Sequence, residues 1–335
     1  MDIFQIAIGL IILTTPVCFA ERPVDCSYEV LSEKEYGEYH SAIGYAEDLI
    51  AAEKWEDAVL VYKQLFERYD FVFLRDCKIA AQVAAYAYKN DDAIAFVKEG
   101  IKNGWALKSV RKHKILKSQI HPSKWLEITA VSDSLSDIFK SRLDPVTRYV
   151  IKKMYHRDQR MALGALLTFS SNGQDRYAKK KFAPHSEKQL GKLGIIIDSL
   201  GYPGEKLIGN ESWASIILLH HNSISQNYVL QDSLYPRLRP TLLLALQQGQ
   251  IHPYRFALIQ DWYVAVKSAH TQTAYGCLQI ELTRDQLTHV NKLRKEIGLH
   301  SIETRNRLIK LQKRTGIDFN LSEGQQALAE TRILN

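Results

Sequence analysis

The sequence predicts a mostly α-helical chain of two helical modules with at most a short β-hairpin. Apolar residues return at helical spacing along most of the 335 positions. Gly and Pro are few, 17 and 9, and the informative ones fall at breaks between periodic stretches. Only one short segment, 275–282, alternates as a strand or hairpin would. At 46% hydrophobic and 24% charged, the composition is that of a globular chain and excludes collagen-like, extensively disordered and disulfide-dense classes. The length suits two domains, each able to bury a core.

The first element is an apolar run over residues 3–17, too short for an ordinary membrane span. Cys18 and Ala20 stand at −3 and −1 of a cleavage point, followed by Glu21, Arg22 and Pro23. Residues 1–20 therefore read as a signal peptide, although Asp2 stands where a basic residue is usual, and an uncleaved anchor is the main rival. A lipoprotein reading of Cys18 lacks the small residues normally found before it. Export places the protein in the periplasm or cell envelope, with no membrane span after cleavage. Removing Asp2 takes the net charge from +7 to +8. That surplus favours acidic surfaces without naming nucleic acid as a partner, and no groove-reading motif is present. Three cysteines remain. An oxidising compartment permits a disulfide, for which sequence order suggests Cys26–Cys77, but Cys77 and Cys277 read first as small buried hydrophobes.

After an N-terminal segment (21–32), residues 33–140 form the first module. Ala46, Leu49, Ile50 and Ala52 make one helical stripe, and Trp55, Ala58, Val59, Tyr62 and Leu65 the next. A second pair follows from Phe73, with Ala80, Ala84, Ala93, Phe96 and Val97. Trp55-Glu56-Asp57-Ala58 is echoed by Asn90-Asp91-Asp92-Ala93, its alanines 35 positions apart. This resembles a short tetratricopeptide-like array, whose period is about 34 residues, though an ordinary pair of hairpins would look similar. Such arrays present a concave surface to a protein or peptide. The basic stretch over 104–128 reads as a solvated helix face, or else as an anion-attracting one. A boundary near residue 140 precedes Asp144-Pro145.

The second module, 146–317, reads as helices at 146–170, 186–200, 211–224, 228–248, 254–268, 284–297 and 301–314, with 318–335 a C-terminal tail. Ser186-Glu187-Lys188-Gln189 has the form of a capping box, and Gly201-Tyr202-Pro203-Gly204 that of a stop. Pro236 and Pro240 should bend or interrupt their segment. No phosphate loop, nucleophile elbow or zinc-spaced cysteine pair assigns a cofactor.

Three polar residues stand where helical period predicts burial: Asp158, Asp261 and His221. Buried charges must find partners. The simplest arrangement brings the two aspartates toward His221 or Arg160, either as a general acid–base or cation-binding centre or as a network that fixes helix packing. His220, His252 and His270 are weaker candidates. His220 and His221 point about 100° apart on a helix, so they would not share one ion.

From about residue 150 to 317 these residues carry a resemblance to an uncharacterised bacterial domain family, often found after a secretion signal and tetratricopeptide-like helices. The pieces are Asp158-Gln159-Arg160, Asp198-Ser199-Leu200-Gly201-Tyr202-Pro203, His220-His221, Gly249-Gln250-Ile251-His252-Pro253, Asp261, Tyr275-Gly276 and Arg294 with Gly298-Leu299. The family's Gln-His pair has His220 in place of Gln, and Ser223 replaces the acid two residues on. Trp262 replaces the Arg after Asp261, and Cys277-Leu278 ends the Tyr-Gly-Thr-Gln signature. The resemblance implies a shared fold more than a shared activity. Two functions follow as expectations. One is an exported binding or scaffold protein. The other is a hydrolase-type or metal-assisted enzyme with His221 as base, Asp261 or Asp158 orienting it, and Gln159, Arg160 or Tyr275 binding the ligand.

Overall fold

The structure, a computed structural model, describes residues 36–168, 171–321 and 329–334. The expected signal peptide, the segment after it and Cys26 lie outside them, and so does any Cys26–Cys77 pairing. The described chain is mostly α-helical.

Two antiparallel hairpins begin it: α1 (Tyr36–Ala51) with α2 (Trp55–Arg68), and α3 (Leu74–Tyr86) with α4 (Asn90–Lys102). Their turns repeat bond for bond at a 35-residue interval. Lys54 N–H donates to Leu49 O at 2.9 Å, and Lys89 N–H to Ala84 O at 2.8 Å. Glu53 and Tyr88 both take left-handed φ, 60° and 58°, in the position that caps a helix C-terminus. Ala58 and Ala93 are both fully buried, so the small side chains let the paired helices close. Short α5 (Leu107–Lys112) and α6 (Lys114–Gln119) lead to α7 (Pro122–Arg142), which packs on α4.

The second module opens with α8 (Pro145–Leu166), capped by Asp144 and with Pro at its first position, at the break marked by Asp144-Pro145. Then come α9 (Ser171–Tyr177), a π-helical turn Ala178–Phe182, α10 (Ala183–Leu200), α11 (Glu205–Ile208), α12 (Trp213–Asn222), α13 (Gln226–Gln231), α14 (Leu234–Gln247), α15 (Pro253–Lys267), α16 (Arg284–Glu296) and α17 (Ile302–Thr315). Gly201 ends α10 with φ +83°. The helix expected over 228–248 is broken at Asp232-Ser233 rather than at a proline. Pro236 occupies the first turn of α14, where its missing N–H costs nothing, and Pro240 is carried inside the helix. The short β element pairs β1 (Glu281–Thr283) with β2 (Arg332–Leu334) in parallel, so it is no hairpin; its second strand comes from the tail.

Two hydrophobic cores result. The first fills the hairpins and α7, and is closed by Leu308, Ile309 and Leu311 of α17 with Ile317, Phe319 and Leu321. The second runs from Ile151 and Met154 through α10, α12, α14 and α15 to Leu299. The inner face of α1 and α3, where an array of this kind would receive a peptide, is filled by the chain's own C-terminal half. His40 Nε2–H donates to Leu246 O at 3.1 Å, and Gln82 exchanges two hydrogen bonds with the backbone of Asp318. Gly298, at φ +75°, lies so close to α1 that a Cβ would stand 2.6 Å from the carbonyl carbon of His40. Only glycine fits there.

Candidate functional site

Asp158, His221 and Asp261 are all fully buried, as their helical phase predicted. They do not converge on one another; each has its own partners.

Asp158 of α8 meets His220 of α12, with Nδ1 2.5 Å from Oδ2, while its Oδ1 has no hydrogen-bond partner among the described residues. The His220 side chain retains 14% exposure. Gln159 is half-buried and Arg160 exposed, and neither bonds Asp158, His221 or Asp261.

His221 points to the other side of α12, as the 100° rotation requires. Its Nδ1 lies 3.0 Å from Ser186 Oγ on α10, and its Nε2 stands 3.2 Å from Asp232 Oδ2, off the direction of a hydrogen bond. Asp232 is anchored by the N–H groups of Leu234 and Tyr235 at 2.8 and 3.2 Å, which start α14. Burial pushes its carboxyl up, but His221 and these two donors outweigh it and hold the group below the usual carboxylate range. An imidazole between a hydroxyl and a carboxylate has the parts of a nucleophilic relay. Here Ser186 and His221 have no exposed surface, and the Tyr228 ring packs edge-on against the imidazole at 5.5 Å. The relay is closed to a substrate and ties α10, α12 and the start of α14 together. Ser186 does not cap a helix, contrary to its local signature, because α10 begins three residues earlier out of the π-helical turn.

Asp261 serves a loop. Oδ1 accepts from the Thr273 hydroxyl at 3.0 Å and from the N–H groups of Ala274 and Tyr275 at 2.7 Å each, and Oδ2 accepts from Cys277 N–H at 2.6 Å. Burial raises its carboxyl above the ordinary range against the pull of those donors. Tyr275, expected to touch a ligand, is 3% exposed and packs edge-on against Phe256. Burial pushes its hydroxyl up to about 12. The Tyr275 carbonyl accepts from Arg294 Nη1 at 2.9 Å, and Arg294 Nε–H donates to His300 O at 2.7 Å. Asp261, the 273–277 loop and Arg294 thus form one internal brace.

A further polar network, which no sequence motif marks, joins the two halves. Arg75 on α3 bonds Glu47 at 2.6 Å, Asp76 at 3.1 Å and the carbonyls of Phe319 and Asn320. Its guanidinium also lies 4.4 Å from the Tyr254 ring centroid. Glu47 Oε2 accepts from His300 Nδ1 at 2.7 Å, and His300 Nε2 meets the Tyr254 hydroxyl at 3.1 Å. Tyr39 donates to Asp76 Oδ2 at 2.8 Å, and His252 Nε2 stands 3.5 Å from Asp76 Oδ1. His252 Nδ1 accepts from Tyr254 N–H to cap α15, which leaves Nε2 to carry the proton toward Asp76. Burial raises Glu47, but Arg75 and His300 overcome it and bring the carboxyl down to about 2. His40, buried against Leu246 O, is held down at about 3, mainly by desolvation. Glu47 lies on the apolar stripe of α1 and could have been marked by the same helical-phase argument that found Asp158. His270, the remaining weak candidate, is exposed beyond the end of α15.

Among the described residues, no group of three or more His, Cys, Asp and Glu is placed to hold a metal ion, and no helix is long and apolar enough to cross a membrane. Comparison with models of known families, with curated proteins and with solved structures finds no match.

Proposed function

We propose that this protein is an exported helical scaffold that binds another protein. In this reading the N-terminal hairpins are a degenerate tetratricopeptide-like array, residues 150–317 belong to the uncharacterised bacterial family they resemble, and the address is the periplasm or cell envelope. The polar candidates are engaged in holding the chain together, and the inner face of the array is occupied from within. An enzyme built on His221, Asp261 and Asp158 finds no support in this geometry, because the three belong to separate buried arrangements.

The observation that carries the proposal is a group of large apolar side chains left outside on two neighbouring helices: Val146, Tyr149 and Val150 of α8, with Ile195 and Leu200 of α10. Scattered exposed apolar residues are ordinary, but a cluster on one face marks an interaction surface. The full-length chain, isolated from its own cells after reversible cross-linking, should come from an extracytoplasmic fraction. It should begin at Glu21 and carry a protein partner in near-stoichiometric amount. A cytoplasmic protein that starts at Met1 and carries no partner would contradict both the address and the role.

A further inference from the structure

Between α8 and α10 lies an open cleft of ≈ 310 Å³, lined by the apolar Val150, Met154, Ile195 and Ile196 and by the cations Lys153, Arg157 and Lys192. Three observations on this cleft point the same way.

The first is apolar exposure: Ile195 is 69% exposed, and Val146 and Tyr149, one turn further along α8, are 70% and 56% exposed. The second is charge. None of these three cations makes an ion pair among the described residues. The exposed acids of α10 do not answer them, since Glu187 is bonded to the Tyr228 hydroxyl and Asp198 stands beyond the lining residues. The third is Gly191 of α10, one turn before Ile195, where a Cβ would meet nothing within 4 Å. An interior helix glycine costs about 1 kcal/mol relative to alanine, and no described atom of this chain requires this one. Its lack of a side chain leaves the outer face of α10 open for another backbone to approach closely.

Resting on the partner-binding reading, we infer that the α8–α10 cleft receives an acidic amphipathic helix of a partner protein. Its apolar face would lie on Val150 and Ile195, its carboxylates would meet Lys153, Arg157 and Lys192, and its backbone would pass over Gly191. Helix-in-groove recognition uses such anchors at helical spacing, and the three cations supply orientation and encounter rate.

The test is site-specific photo-cross-linking of the full chain in cells that make it, with a benzophenone amino acid in place of Ile195 and, separately, of exposed Leu60 on α2. The Ile195 probe should give one discrete protein adduct whose linked peptide is helical in pattern and net acidic. Joint Lys153→Glu, Arg157→Glu and Lys192→Glu substitution should cut that adduct at least tenfold, and so should Gly191→Leu, with no melting temperature lowered because these positions are exposed. An adduct made only with lipid, one indifferent to charge reversal, or none at Ile195 would overturn the inference. A discrete adduct at Leu60 with none at Ile195 would sink the cleft and leave partner binding standing. Silence at both positions would sink both.

Discussion

Replacing Asp261 with alanine should lower stability by about 3–5 kcal/mol, the cost of stranding several buried donors at once. The three N–H groups of Ala274, Tyr275 and Cys277 and the Thr273 hydroxyl all end on this carboxylate. Asp261 itself is fully buried, so water is a poor replacement for it. Asp261→Asn should cost less, because one acceptor oxygen survives while the new amide opposes an N–H. Denaturant unfolding gives the loss. Labelling of Cys277 by a thiol reagent in native buffer reports whether the 273–277 loop is the part released. A carboxylate kept for chemistry would instead give an Asn variant of unchanged stability and an unlabelled thiol.

The second large effect lies at the junction of the two halves. Arg75→Ala should destabilise the protein by about 3–5 kcal/mol, because it leaves Glu47 charged and buried without its main cation and takes one of two cationic partners from Asp76. The double variant Glu47→Gln, Arg75→Ala should recover part of that loss. The acid limb of stability should change as well. Glu47 sits at about 2 in the fold against an ordinary 4.5, so its contribution is full above about pH 4.5 and is lost as pH falls toward 2. His40 is held at about 3 against 6.5. Below pH 6.5 the unfolded chain takes up a proton that the fold refuses, so stability again falls with pH. Both groups act in the same direction. Glu47→Gln should flatten the lower window, between pH 4.5 and 2, and His40→Gln the upper one, as read from melting temperature against pH.

Most of the helices could be read from the sequence because their signals are local. Asp144-Pro145, His252-Pro253 and Gly201 start or stop helices through their own backbone chemistry, and the structure uses each one so. The burial of Asp158, His221 and Asp261 was legible for the same reason: helical phase is a property of a dozen neighbouring residues. Their partners were not. His221 meets Ser186 and Asp232, 35 and 11 positions away, and which acid an imidazole reaches depends on helix packing. Ser186 misled because its capping signature is local, while the turn that extends α10 upstream is set by packing of Phe182 in a small separate cluster. The network of Glu47, Arg75 and His300 spans 253 positions between Glu47 and His300, and β2 pairs with a strand some fifty residues earlier. Neither pairing leaves a trace in local pattern.

If the buried polar residues brace the fold while partner binding resides on the outer α8–α10 face, stability and binding should separate. Melting temperature and the Ile195 photo-adduct are to be compared in Asp158→Asn, His221→Gln and Asp261→Asn, each assayed well below its own transition. All three should melt earlier than the wild type and form the adduct at its full yield. A variant that keeps the wild-type melting temperature and loses the adduct would contradict that separation, and would move that residue from the frame of the protein into its working site.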